Sequence, residues 1–174
     1  MTLITVFTLA LATAAAPPPE PISLELVRAD SGDVFLYMAQ VGQTPVVIHP
    51  EAQQPITARF IDLPWREALD RLTNLNGLAV VELDGAHWIV PVTEVTDVTG
   101  EVLGSTDGER LATLLLPVQQ ADLEDLAERL RREVLSPAGS AVSRSGLEML
   151  VVQEVMERER IASLVAFVKA ADRP

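Results

Sequence analysis

The sequence contains no cysteine, and this absence excludes several kinds of chemistry. Without thiols the chain has no disulfide framework, no Cys-ligated zinc site and no cysteine nucleophile. Aromatic residues make up only 4% of the chain, and the histidines are two, His49 and His87. They fall on different predicted strands without carboxylates at metal-ligand spacing. We therefore expect no metal site and no bound cofactor.

Basic residues are also few. The chain has 13 Lys and Arg against 25 Asp and Glu, which gives a formal net charge of −12 at pH 7. Binding to a nucleic-acid backbone needs clustered positive charge, so we expect no nucleic-acid partner. The sequence has neither a G-x-S-x-G nucleophile elbow nor a glycine-rich phosphate loop. These absences predict a protein that is not an enzyme and that takes no small-molecule substrate.

The N-terminus predicts export. Residues 3–16 form an uncharged, mostly apolar run, which is too short to span a bilayer but long enough for a signal peptide. Ala12-Thr13-Ala14 fits the small-residue cleavage pattern, so residues 1–16 are interpreted as the leader. The proline-rich segment 17–21 follows as a stiff spacer. The predicted location is the periplasm.

Residues 22–92 predict a first small module with the order β-α-β-β-α-β-β. Residues 22–26 alternate as a half-buried strand does, and Trp65 begins an amphipathic helix. Trp65 and Trp88 are predicted core residues. In the helix over 34–41, Val34, Phe35, Tyr37, Met38 and Val41 share the predicted core face, whereas Leu36 falls on another face and is a candidate contact residue.

A short apolar run between two prolines supplies the other candidate contact residues. Val46, Val47 and Ile48 lie between Pro45 and Pro50. Proline has no N–H to donate, so the run predicts a strand that is short or lies at a sheet edge. Because the unpaired main-chain groups of an edge favour the addition of another strand, we expect these residues to bind a partner.

Residues 93–109 carry five acidic residues and no basic one, which is typical of a solvated linker. Residues 110–174 predict a second two-layer module with the order β-α-β-β-α, so the fold class is α+β with two small modules. This order matches that of RNA-binding KH domains. However, the GXXG loop that clamps RNA is missing and the charge is acidic, which argues against RNA binding.

Several segments resemble a known family. Asp62-Leu63-Pro64-Trp65 and Asn76-Gly77-Leu78 are similar to segments of the short N-terminal domain shared by secretins and TonB-dependent signalling receptors. Leu135-Ser136-Pro137-Ala138-Gly139 and Asp172-Arg173-Pro174 look like the "L-S-x-x-G" turn and the terminal "D-x-P" of the next, KH-like secretin module. The order of modules resembles the type IV pilus and type II secretion secretins most. Where a secretin would continue into its channel domain, this sequence ends at Pro174.

The resemblance implies a periplasmic adaptor of a secretin-type secretion or type IV pilus system, associated with an outer-membrane complex. Its implied partner is a secretin ring or another periplasmic assembly protein. Whether the protein also forms a homo-oligomer is left open. The alternative is a signalling domain of the TonB-dependent transducer type, which would contact an inner-membrane regulator. The second module argues against this alternative, because those receptors continue into a plug and barrel.

Overall fold

The computed structural model describes residues 21–95 and 110–173. Its strands are β1 (Ile22–Ala29), β2 (Val46–Ile48), β3 (Ile56–Leu63), β4 (Leu78–Leu83), β5 (Ala86–Pro91), β6 (Leu111–Pro117), β7 (Ser140–Arg144) and β8 (Met149–Val155). Its helices are α1 (Ser31–Gly42), α2 (Trp65–Leu75), α3 (Leu123–Glu133) and α4 (Arg158–Ala171). The predicted leader, most of the spacer and most of the acidic linker lie outside the described residues. Within the described ranges, no helix has the length and apolar character needed to cross a bilayer.

The predicted α+β class and the predicted order of elements are confirmed, and local signals explain where the elements begin and end. The Asp30 carboxylate accepts from the main-chain N–H of Asp33 and so caps α1, and Asp122 caps α3 in the same way. Gly77, with φ of +69°, follows the C-cap residue of α2, Asn76. The Asp84-Gly85 turn, in which both residues have positive φ, joins β4 to β5.

The strands form two sheets. β1 and β3 pair as an antiparallel ribbon, and the other six form one sheet in the order β4-β5-β2-β6-β8-β7. In this sheet β2 runs parallel to β5 and antiparallel to β6. The sequence predicts two modules on either side of the linker. In the structure three strands of the first module (β2, β4 and β5) and all three strands of the second form one sheet, joined where β2 meets β6, a junction that we call the seam.

Each face of the six-stranded sheet carries its own core. One core lies between this sheet and the β1–β3 ribbon and contains the buried faces of α1 and α2. The other lies on the opposite face, under α3 and α4. Val46 and Ile48 belong to the first core and Val47 to the second, since successive strand residues point to opposite faces. The central strand β2 therefore contributes to both cores.

We call residues 21–95 the first half of the chain and residues 110–173 the second half. The second half covers one face of the first. Val47, Trp88 and Val90 pack in one buried cluster with Leu164 and Val168 of α4. At the rim, Arg158 Nε donates to Asp84 Oδ2 (2.9 Å) and Lys169 Nζ donates to Gly85 O (2.8 Å). A seam covered in this way joins the two halves by apolar burial as well as by strand pairing.

Both tryptophans lie in the core, as predicted. Trp88 is 0% exposed and Trp65 is 8% exposed. The Trp65 indole N–H donates to Met38 O (2.7 Å), and the indole ring fills the space that a Cβ on Gly42 would take. The prediction that Tyr37 belongs to the core is wrong, because the residue is 41% exposed. The inward stripe of α1 is Val34, Phe35, Met38 and Ala39, which turns Tyr37 towards solvent.

Two segments of the second half resemble the secretin family, residues 135–139 and 172–174, and each is fixed by hydrogen bonds to a carboxylate. Asp172 accepts from the main-chain N–H groups of Gln119, Gln120 and Ala121 at 2.6–3.0 Å. Burial alone would raise the pKa of this carboxyl, but the three N–H groups outweigh burial and hold the pKa below its ordinary value. The buried Glu154 carboxylate accepts from Ser136 N (2.8 Å) and so fixes the turn at 135–139.

Candidate functional site

The candidate contact residues Val46, Val47 and Ile48 lie inside the six-stranded sheet. They are 0%, 0% and 1% exposed, with β5 on one side and β6 on the other. The strand is short, as predicted, but the prediction that it lies at an edge is wrong, because β6 of the chain itself pairs with it. Leu36 is half-buried against the first core. Partner binding by these four residues stays a prediction, and for β2 it would require β6 to leave.

The free edges of a sheet can be located from hydrogen bonds, because alternate residues of an antiparallel strand point their main-chain groups towards and away from the partner. On β3, Thr57 N donates to Asn76 Oδ1 (3.0 Å) and Thr57 O accepts from Asn76 Nδ2 (3.2 Å). Thr57 therefore faces away from β1, and the Asn76 amide covers this part of the edge. Asn76 is the first residue of the N-G-L segment.

The β1 edge is irregular. Leu24 and Leu26 pair with Phe60 and Ala58 of β3, so the main chain of Glu25 faces outward between them. Register shifts interrupt the pairing on both sides of this stretch. Bulges of this kind twist an edge away from an incoming strand. Val27, at one of the shifts, is 78% exposed.

The β4 edge has neither the side-chain cap seen on β3 nor the register shifts seen on β1. Its six residues pair with β5 without a register shift. Val92 N donates to Gly77 O (3.1 Å) just beyond the strand, so Leu78, Val80 and Glu82 face outward by alternation. Among the described residues, no side chain caps these three main-chain groups. Val80 and Val81 are half-buried on opposite faces. In the part of the chain that the structure describes, the edge of β4 is therefore regular, apolar and not covered by another strand or side chain.

A charged cluster lies at one end of this edge. Arg66 of α2 contacts Glu82 and also approaches His87 Nε2 with its Nη1 (2.8 Å). His87 Nε2 also lies 3.2 Å from Glu82 Oε1, and His87 Nδ1 lies 3.3 Å from Thr44 Oγ1. Burial, followed by the Arg66 charge, lowers the pKa of His87. The histidine is accordingly neutral at pH 7 and serves as a polar contact between α2 and the hairpin.

The described residues show no group of three or more His, Cys, Asp or Glu side chains that could hold a metal ion. An open pocket of about 420 Å³ lies at the start of α1, lined among others by Arg28, Ser31 and Thr113. The Asp30 carboxylate already occupies the helix N-terminus there. The feature that distinguishes this surface is thus a strand edge rather than a cavity.

No family model and no curated protein matches the chain. Solved structures do. The N-terminal domain of the secretin XcpQ from Pseudomonas aeruginosa is 16% identical with a TM-score of 0.35, and the match covers 88% of this chain and 66% of that one. The structures found include N-terminal domains of secretins. This is the family that the D-L-P-W and L-S-x-x-G segments resemble.

Two further secretion-system structures are similar. A chain of the GspC–GspD complex from the type II secretion system of enterotoxigenic Escherichia coli is 12% identical with a TM-score of 0.33, and the match covers 87% of this chain and 98% of that one. A chain of the Salmonella SPI-1 type III injectisome basal body (InvG, PrgH and PrgK) is 15% identical with a TM-score of 0.36. That match covers 85% of this chain and 27% of that one. The chain therefore spans about two thirds of the secretin domain and a smaller part of the injectisome protein.

Proposed function

We propose that this protein is a non-enzymatic, periplasmic interaction module of a secretin-type secretion or type IV pilus system, and that it binds its partner by strand addition to β4. The observation that carries the proposal is the regular β4 edge, on which residues 21–95 and 110–173 place no capping side chain. An extended segment placed beside β4 would hydrogen-bond to the outward main-chain groups of Leu78, Val80 and Glu82. It would also cover the half-buried Val80 and Val81.

Comparison of the edges supports β4 over the others. The β2 edge predicted from the sequence is filled by β6, the β3 edge is covered by Asn76 at Thr57, and β1 is interrupted by register shifts. Devices of these kinds keep strand edges from pairing with other chains. An edge on which the described residues show none of these devices is a candidate for a physiological contact.

The apolar leader and the resemblance to secretin modules support the location and the class of partner. The expected partner is a secretin ring subunit or another periplasmic assembly protein that contributes an extended strand. Its side chains should be apolar where they meet Val80 and Val81. Near Glu82 the Arg66–Glu82 pair offers both signs of charge, which would help to fix the register.

The test uses a proline that removes one outward N–H of β4. We expect Val80→Pro to abolish capture of a secretin or assembly protein from detergent-solubilised envelopes by the tagged full-length chain, as read by mass spectrometry. The Val80 N–H faces away from β5, so the substitution removes no ladder hydrogen bond and the fold should persist, as checked by circular dichroism. Glu25→Pro, the matched change on β1, should leave capture unchanged.

Two results would contradict the proposal. Equal recovery of the partner by the wild type and Val80→Pro, with both folded, would remove β4 as the docking edge. Recovery of an inner-membrane sigma regulator in place of a secretion protein would favour the signalling alternative.

A further inference from the structure

The outer edge of β7, at the far end of the six-stranded sheet, has a defined set of outward groups. Hydrogen bonds from Val118 N to Glu148 O and from Met156 N to Arg110 O, both 2.9 Å, flank the pairing of β8 with β6. By alternation, Leu150 and Val152 of β8 face β6, so Val151 and Gln153 face β7.

This alternation fixes the orientation of β7. Val142 pairs with Val151 and Ser140 with Gln153, and the main-chain groups of these β7 residues therefore face β8. Ala141 lies between these two residues and Ser143 follows Val142. By alternation, the N–H and C=O groups of Ala141 and Ser143 point outward. In a strand of five residues, these two residues provide the whole set of outward groups at the centre of the edge.

One of the outward groups is covered. Arg131 of α3 donates from Nη2 to Ala141 O at 2.6 Å, and its Nη1 lies 3.0 Å from Glu128 Oε2. The guanidinium thus reaches around the sheet edge while a carboxylate of the same helix holds it. Arg132, the next residue, pairs instead with Glu133. A cation placed on a strand edge is a common device against edge-to-edge pairing.

Without this cover the edge would be complementary to itself. Two β7 strands, aligned antiparallel and centred on Val142, would place Ala141 of each copy opposite Ser143 of the other. Their outward groups would then form four hydrogen bonds, two of them to the Ala141 carbonyls. Val142, which is 51% exposed, would face its own counterpart. Arg144 would lie opposite Ser140, so no like charges would face each other.

We infer that β7 is a self-pairing edge whose partner is a second copy of this chain, and that Arg131 acts as a latch that keeps it closed. While the guanidinium holds the Ala141 carbonyl, two of the four hydrogen bonds between copies are blocked. Release of Arg131 opens the edge and joins two six-stranded sheets through their β7 strands. This contact is independent of the β4 edge, which lies at the opposite end of the sheet.

The first test compares the association of full-length variants by analytical ultracentrifugation. Arg131→Ala should dimerise with a dissociation constant at least about tenfold lower than that of the wild type, the effect of two recovered hydrogen bonds. Arg132→Ala, which removes the neighbouring charge but leaves the latch, should match the wild type. Adding Ser143→Pro to Arg131→Ala should restore the wild-type value, because it removes an outward N–H without touching a bond to β8.

A cross-linking test does not depend on the stability of one variant. The chain has no cysteine, so Val142→Cys introduces a single thiol at the centre of the proposed contact. Mild oxidation should link two copies of Arg131→Ala/Val142→Cys through this residue, and Val142→Cys alone to a much smaller extent. Either of two results would overturn the inference. One is an Arg131→Ala variant that dimerises with the same dissociation constant as the wild type. The other is equal cross-linking through Val142→Cys whether or not Arg131 is present.

Discussion

Replacing Gly42 by alanine is expected to destabilise the protein by about 3 kcal/mol, near the upper end for overpacking a filled site. A Cβ at this position would lie 2.2 Å from Trp65 Cε2 and 2.5 Å from Trp65 Nε1. The ring has no easy way to retreat. Its N–H is bonded to Met38 O, and it lies edge-on to His87 at 5.3 Å between ring centroids. The substitution must therefore shift either the end of α1 or the start of α2.

Urea unfolding followed by circular dichroism measures this loss, and Gly146→Ala is the matched control. A Cβ on Gly146 would meet no atom of the described residues within 4 Å, and Gly146 has no positive φ, so its replacement should change the free energy of unfolding by less than about 0.5 kcal/mol. Equal stability of the two variants would show that the Trp65 ring does not occupy the place described, and with it the role of the D-L-P-W segment would fall.

Replacing Trp88 by alanine is expected to remove about 3–5 kcal/mol, the range for deleting a buried aromatic side chain. Trp88 comes from β5 in the first half of the chain, yet it is buried in the cluster that includes helices of the second half. The loss should therefore weaken both halves together. Unfolding read from Trp65 fluorescence and unfolding read from the amide signals of α4 should shift to the same lower urea concentration.

Val92→Ala provides the control for this prediction. Val92 follows β5 directly and is 57% exposed, so its truncation should be nearly neutral. The coupling claim fails if Trp88→Ala lowers the midpoint seen by Trp65 while the α4 amides keep theirs. Two separate transitions would mean that the halves fold independently.

Much of the fold could be predicted because its signals are local. Asp30 and Asp122 begin helices, Gly77 follows one, and Asp84-Gly85 makes a hairpin turn, each through a bond or dihedral angle set within a few residues. The same applies to the alternation of β3, where Ile56, Ala58 and Phe60 are buried. The exposure of Tyr37 does not follow from the sequence, because a strongly apolar helix offers more than one plausible inward stripe.

The candidate site could not be found in this way, because strand neighbours are set by contacts distant in sequence. Pro45 and Pro50 suggested an edge since neither can donate a hydrogen bond. In the structure both prolines lie outside the paired residues 46–48, and Pro45 contributes its carbonyl, which accepts from His87 N (2.9 Å). The missing N–H groups therefore cost the sheet nothing, and β6, more than sixty residues away, fills the edge. The caps on β3 and β7 likewise depend on side chains from other elements.

The assignment of edges has a functional consequence. If β6 occupies β2, strand addition by a partner is directed to β4, and self-association is controlled at β7. If β6 does not pair with β2, the edge of β2 is free for a partner, as the sequence predicts, and the assignments to β4 and β7 lose their basis. The central claim is therefore the seam between the two halves.

The most direct test of the seam is a nuclear Overhauser measurement on the isotopically labelled full-length chain. Val47 and Leu114 form a pair whose main-chain groups face away from each other, which brings their α-carbons closer than in the neighbouring pairs. A strong contact between the Hα atoms of Val47 and Leu114 is the predicted result. Its absence, together with different rotational correlation times for residues 21–95 and 110–173, would contradict the account.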